Sequence, residues 1–196
     1  MPARALRSDA ALNRAHIVAS ARAALLESGG SVEDLRLHAI AKAAQVGQGT
    51  LYRHFPTREH LVAEVYRQEM IELVEAVPAL LAEHPPLQAL DRWMDRLVEY
   101  AQVKRGVVAA IEASAWQHLY ADNAGRLDTA LQTLLDQGKA TGDVREGIDA
   151  TDVILLLGAL SRVPAPEWDA RARNLAAVIL AGVRRPPAPS PTDRTQ

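Results

Sequence analysis

The residues whose types and spacing could do chemistry lie between Gln48 and Arg58. Gln48, Thr50, Tyr52, Arg53 and His54 place five hydrogen-bonding side chains within seven positions. Leu51 and Phe55, at i and i+4, share one side of a helix and can anchor it, which turns the polar set outward. Glutamine can pair bidentately with adenine and arginine with guanine, so such a face suits the major groove of duplex DNA. Enzyme chemistry finds little footing. No glutamate has a histidine three residues later, as a carboxylate-bridged metal in a helical bundle would need, and Gly-x-Ser-x-Gly is absent. Gly47-x-Gly49 opens no complete dinucleotide loop and follows a helix instead of a strand. With no cysteine, disulfides, zinc-thiolate sites and thiol catalysis are excluded. His16 and His38 have no metal-ligand spacing. No catalytic residue, metal or cofactor is expected.

The elements that must position this face are all helical. The 196 residues are 48% apolar and only 4% aromatic, rich in Ala and Leu, without alternating β-branched runs. A first helix is expected from about Leu12 to Glu27, stopped by Gly29-Gly30, with a polar, mobile stretch 1–9 before it. Short helices over Leu37–Ala44 and Gln48–His54, joined at Gln45-Val46-Gly47, form a helix-turn-helix at about 36–55. Thr57 caps a long helix from Arg58, with Val62, Tyr66, Met70, Leu73 and Val77 as its apolar stripe and Pro78 as its end or kink. Further helices are expected at about 87–103, broken by Gly106, then at 107–120, 122–140, 149–161 and 168–184. The division is a DNA-binding head over 9–60, a helical body over 61–184, and a disordered Pro-rich tail over 185–196.

Charge separates the same parts. Residues 1–58 carry eight basic and four acidic side chains, a balance of +4 that leaves −6 elsewhere, given −2 overall. A DNA-binding head on a non-binding body has that distribution. No apolar run reaches the length of a membrane span or signal peptide, so a soluble, cytoplasmic protein without membrane attachment is expected.

The stretch Ile40-Ala41, a turn ending in Val46, then Thr50-Leu51-Tyr52-Arg53-His54-Phe55 resembles the N-terminal domain of the tetracycline-repressor (TetR) family. The likeness extends back through Asn13-Arg14-x-x-Ile17 and forward through Thr57-Arg58-Glu59-x-Leu61. It implies an all-α fold: a three-helix DNA-binding head and a helical-bundle body that binds a small inducer and dimerises through its last two helices. By this resemblance Thr50, Tyr52 and Arg58 touch phosphates, Gln48 and Arg53 lie where base contacts vary, and His54 braces the recognition helix. Arg4 and Arg7 resemble a basic arm. Two departures stand out. Gln45 replaces the usual glycine of the turn, and Arg36 replaces the usual Ser/Thr cap, where it could meet a phosphate. Ligand-pocket candidates are Tyr66, Trp93, Met94, Leu97, Tyr100, Trp116 and Leu119. Dimer candidates are Leu155, Leu156, Leu157, Leu160, Leu175 and Ile179. The implied function is a ligand-responsive repressor bound to a palindromic operator as a homodimer. A sequence-tolerant architectural DNA binder without an inducer is the alternative.

Overall fold

The computed structural model describes residues 2–111 and 124–186. Eight α-helices are described: α1 (Pro2–Glu27), α2 (Leu37–Ala43), α3 (Gln48–His54), α4 (Arg58–Glu83), α5 (Pro86–Ala110), α6 (Ala124–Ala140), α7 (Ala150–Leu157) and α8 (Trp168–Val183). Two 3₁₀ segments, Gly158–Arg162 and Ala165–Glu167, link α7 to α8. Among the described residues there is no named strand, only an isolated bridge between Val144 and Arg184. Nor is any helix there long and apolar enough to cross a membrane.

Several boundaries differ from the sequence reading, each for a physical reason. Helix α1 begins at Pro2, so Arg4 and Arg7 lie on a helical extension and not on a loose arm; Ala3, Ala5, Leu6, Ala10 and Ala11 are strong helix formers. Helix α4 runs straight through Pro78. The Pro78 ring lies on the exposed side, while Leu73, Val77 and Leu80 around it are at most 5% exposed. Burial of that stripe, with α5 packed along α4, offsets the roughly 3 kcal/mol a mid-helix proline costs. Arg185, expected in the tail, donates its backbone N–H to Asp143 (2.8 Å). The expected tail from 187 onward, the greater part of the expected 107–120 helix, and Trp116 and Leu119 lie outside the described residues.

Gly106 was expected to break a helix, yet α5 continues through it to Ala110. What this position requires is smallness. A Cβ there would lie 2.0 Å from the carbonyl oxygen of Gly30, and a Cβ on Gly30 would lie 2.7 Å from the carbonyl oxygen of Gln102. Gly30 also has φ +87°, which glycine adopts without steric cost. The chain end of α1 thus rests backbone to backbone on α5. Around that contact Gln102 donates to Leu26 O (3.1 Å), and Arg105 donates to Gly29 O (2.6 Å) and Val163 O (3.0 Å).

The remaining packing is apolar, with one continuous core running from Ile17 on α1 to Val183 on α8. Helices α1, α2 and α3 pack on one another, and α1 packs on α4 and α5. Replacing Gly106 with alanine forces two backbones apart and should lower stability by about 1–3 kcal/mol or more, read as a lower midpoint in thermal unfolding.

Candidate nucleic-acid interface and body cavity

Helix α3 is held from behind. Leu51 and Phe55 are 1% and 2% exposed, seated in the core with Ile17, Ala21 and Leu61. Opposite them Gln48, Tyr52 and Arg53 are exposed, and Thr50 and His54 are half-buried at the edges. Seven residues are too few to hold a helix by propensity, so this apolar anchoring fixes which side chains face solvent.

Arg53 is folded back on its own helix. Its Nε donates to Gly49 O (3.1 Å) and its guanidinium to Thr50 Oγ1 (3.0 Å). Arg58 reaches away from α3: its guanidinium donates to the carbonyls of Val32 and Glu33 (both 3.3 Å), tying the connector before α2 to the start of α4. Arg36, at the N-cap of α2, is exposed and makes no side-chain cap bond. Thr57 caps α4 by accepting from His60 N (3.3 Å).

The turn between α2 and α3 bears on the Gln45 departure. Val46 N–H bonds to Ala41 O (3.0 Å) and Gln45 N–H to Lys42 O (3.1 Å), the paired bonds of a Schellman end. Its left-handed position is Gln45, at φ +56°. The ends of α1 and α6 close with the same bond pattern and use Gly29 (φ +67°) and Gly142 (φ +79°) there. The backbone strain is therefore accepted at the turn that aims α3.

Charged residues the sequence reading did not single out lock α3 to its neighbours. Arg14 stacks its guanidinium 5.0 Å over the Phe55 ring and pairs with Glu64 of α4, which also pairs with Arg67. Burial raises the Glu64 carboxyl, but hydrogen bonds and charge from Arg14 and Arg67 outweigh it and hold the group below the ordinary glutamate range. Deeper in, Arg22 of α1 pairs with Glu69 of α4 and Glu99 of α5 (2.7 Å to the latter). There burial prevails over Arg22, and the Glu69 carboxyl is raised. Glu64 and Arg67 are one helical turn apart, but the partners that join different helices lie 47 to 77 positions apart, beyond local spacing rules; only Arg14 lay within a quoted motif.

The body holds a cavity of about 390 Å³ between α5, α6, α7 and the first 3₁₀ segment. Leu97 and Tyr100 line it, with Ala101, Lys104, Arg105 and Val108 farther along α5. Of the other pocket candidates, Trp93 and Met94 are buried core, with Trp93 Nε1 donating to Leu73 O (3.0 Å). Tyr66 is buried too, its hydroxyl 3.0 Å from that of Tyr100. The dimer candidates divide similarly. Leu155 and Leu156 are 72% and 57% exposed, whereas Leu157 and Leu160 are buried and line the cavity within the subunit. Leu175 and Ile179 of α8 are half-buried, and Val178 beside them is 60% exposed.

An anchored recognition helix after a tight turn, under a helical body with a cavity, defines a helix-turn-helix DNA-binding regulator. The family model "Bacterial regulatory proteins, tetR family" matches residues 17–65. The model "Transcriptional regulator SbtR-like, C-terminal domain" matches residues 85–185. The chain belongs to the TetR family of transcriptional regulators, whose members bind DNA and are not enzymes. It is 37% identical to a TetR transcriptional regulator of Streptomyces coelicolor, at TM-score 0.75, covering 89% of this chain and 99% of that one. A TetR regulatory protein from Mycobacterium vanbaalenii is 28% identical at TM-score 0.69, with 92% and 99% covered. The repressor KstR of Mycolicibacterium smegmatis is 28% identical, with 93% and 94% covered. An HTH-type regulator of Staphylococcus aureus is 31% identical over half of each chain, 50% and 51%.

Gln45→Gly should relieve the left-handed strain, less the extra chain entropy glycine loses, for a net gain of about 0.5–1 kcal/mol in chemical denaturation. The Glu64 pair has a signed pH dependence. Its carboxyl is lowered in the fold, so its contribution is complete above the unfolded-state value and is lost as pH falls through the folded one. Unfolding midpoints measured across the acid range should fall less steeply for Glu64→Gln than for the parent.

Proposed function

We propose that the protein is a ligand-responsive repressor that grips a near-palindromic duplex operator as a homodimer in the cytoplasm. The observation that carries this reading is the exposed Gln48–Tyr52–Arg53 face of α3, pinned from behind by Leu51 and Phe55. In this reading the head spans 9–60 and the body 61–184. Thr50, Tyr52, Arg36 and Arg58 meet phosphates, Gln48 and Arg53 reach base edges, and His54 braces α3. Arg53 must exchange its contacts with Gly49 and Thr50 for a base. Both are exposed, so the exchange costs little, each being worth about 1 kcal/mol or less. Arg58 shares its role with the connector carbonyls it already holds.

The dimer is supported by Leu155, Leu156 and Val178, large apolar side chains left exposed on α7 and α8, which are in contact with each other. Leu175 and Ile179 extend that face. A two-fold partner would remove it from water, and would set two recognition helices about one turn of DNA apart, roughly 10 bp or more. The body cavity favours an inducible regulator, since an architectural binder has no use for it. A ligand there would shift the heads, with a coupling on the order of 1–3 kcal/mol.

Selection from random duplexes followed by footprinting is expected to return a two-fold symmetric site bound in a salt-sensitive way. Arg53→Ala should relax discrimination at one base position by about 1–3 kcal/mol. Tyr52→Phe should weaken all sequences alike. Leu156→Asp should yield monomers in sedimentation and lose the tight two-site complex. A parent chain with no salt-dependent affinity for any duplex would refute the reading.

A further inference from the structure

One side chain of α5 touches three separate parts of the chain. Arg105 leaves the helix one residue before Gly106, beside the contact of that glycine with Gly30. One terminal nitrogen donates to Gly29 O (2.6 Å), just past the end of α1. The other donates to Val163 O (3.0 Å), in the chain between the two 3₁₀ segments. The same guanidinium lies 4.6 Å over the ring of Trp168, the first residue of α8. Val163 and Trp168 are both buried in the core, so these attachments sit on packed structure and not on a loose loop. A planar fork with its nitrogens in fixed relation holds such partners at a set separation and angle. Gln102, one turn earlier on α5, ties only Leu26 O of α1. Of these two residues, Arg105 alone carries the connection on toward α8. That helix bears Leu175, Val178 and Ile179, the face given above to the two-fold contact.

We infer that Arg105 is a positioning residue for operator recognition. By holding the end of α1 and the approach to α8 in one guanidinium, it sets the separation and angle of the two α3 helices in the dimer. It thereby sets the half-site spacing that the protein accepts. The inference rests on the dimer reading above and adds the residue that fixes the dimer's geometry. Inserting one base pair between half-sites moves the second by about 3.4 Å along the duplex and turns it by roughly 35°. Heads held stiffly to the dimer face cannot follow such a shift. Heads freed from it follow at little cost.

The test uses the full-length protein and duplexes whose half-sites stand at the selected spacing, one base pair closer, or one farther apart. A duplex with a single half-site completes the set. The parent should lose at least about tenfold in affinity at either altered spacing, because both heads can no longer engage together. Two variants are compared with it: Arg105→Met, and Arg105→Lys, which keeps the charge but replaces the fork by a single nitrogen. In both, that loss should shrink below about threefold, while single half-site affinity stays within about twofold and sedimentation still shows dimers. Leu134→Ala, a buried change on α6, serves as the stability control: its thermal midpoint should fall while its spacing preference stays with the parent's. The chain has no cysteine, so Asp34→Cys, at an exposed position of the head, gives one spin-label pair per dimer. The label distances should be narrowly distributed in the parent and broader in either Arg105 variant. Arg105 variants that keep the parent's spacing penalty, or that lose single half-site affinity in proportion, would overturn the assignment and leave the dimer reading standing. A parent that sediments as a monomer, or binds without regard to spacing, would refute the dimer reading and this inference with it.

Discussion

The backbone contact between Gly30 and Gly106 is the constraint on which the rest of the structure depends. The turn that closes α1 meets α5 here at a distance no side chain could survive, because a Cβ at either position collides with a carbonyl. The closeness lets Gln102 reach Leu26 O in the last turn of α1 and Arg105 reach Gly29 O just beyond it. Head and body are therefore joined through main chain, whose position cannot be adjusted by a change of rotamer. Any rearrangement of α5 in the body must be felt at the base of the head.

The head concentrates its costs at the place where it works. Three helices end with the same bond pattern, and two of them use glycine at the left-handed position. The third, between α2 and α3, uses Gln45. Strain at that turn is borne by the packing of Leu51, Phe55, Ile40 and Ala44, all buried. The Arg14–Phe55 stack and the Arg14–Glu64–Arg67 pairs brace the same helix from its outer side. A short helix with weak intrinsic stability thus acquires a fixed orientation from its surroundings.

The helix-turn-helix was legible in the sequence because its determinants are local: Leu51 and Phe55 one turn apart, a tight break before them, and Thr57 as a cap. Features set by partners distant in sequence were not. Pro78 and Gly106 read as breaks because local propensity says so, and tertiary packing overrode both. Leu155 to Leu160 formed an apolar run without a preferred face, so periodicity could not tell Leu155 and Leu156, which are exposed, from Leu157 and Leu160, which are buried. The change from α7 to a 3₁₀ segment at Gly158 alters the direction of successive side chains. Aromatic residues drew the eye as pocket candidates, yet Trp93 is core. Lys104 and Arg105, which line the cavity, are brought beside Ile154 and Leu157 of α7 only by folding.

The uninterrupted course of α4 has a mechanical consequence. Its 26 residues form a rod of about 39 Å at the usual rise of an α-helix. Pivoting such a rod by about 5° displaces its tip by roughly 3 Å, a sizeable fraction of the spacing between neighbouring base pairs. Pro78 removes one rung from the rod's internal ladder, but does so near the extremity remote from Arg58. Bending compliance is thereby confined to the far end, and the stretch that carries the head behaves as a stiff lever arm able to turn a slight tilt within the body into a misfit at the groove.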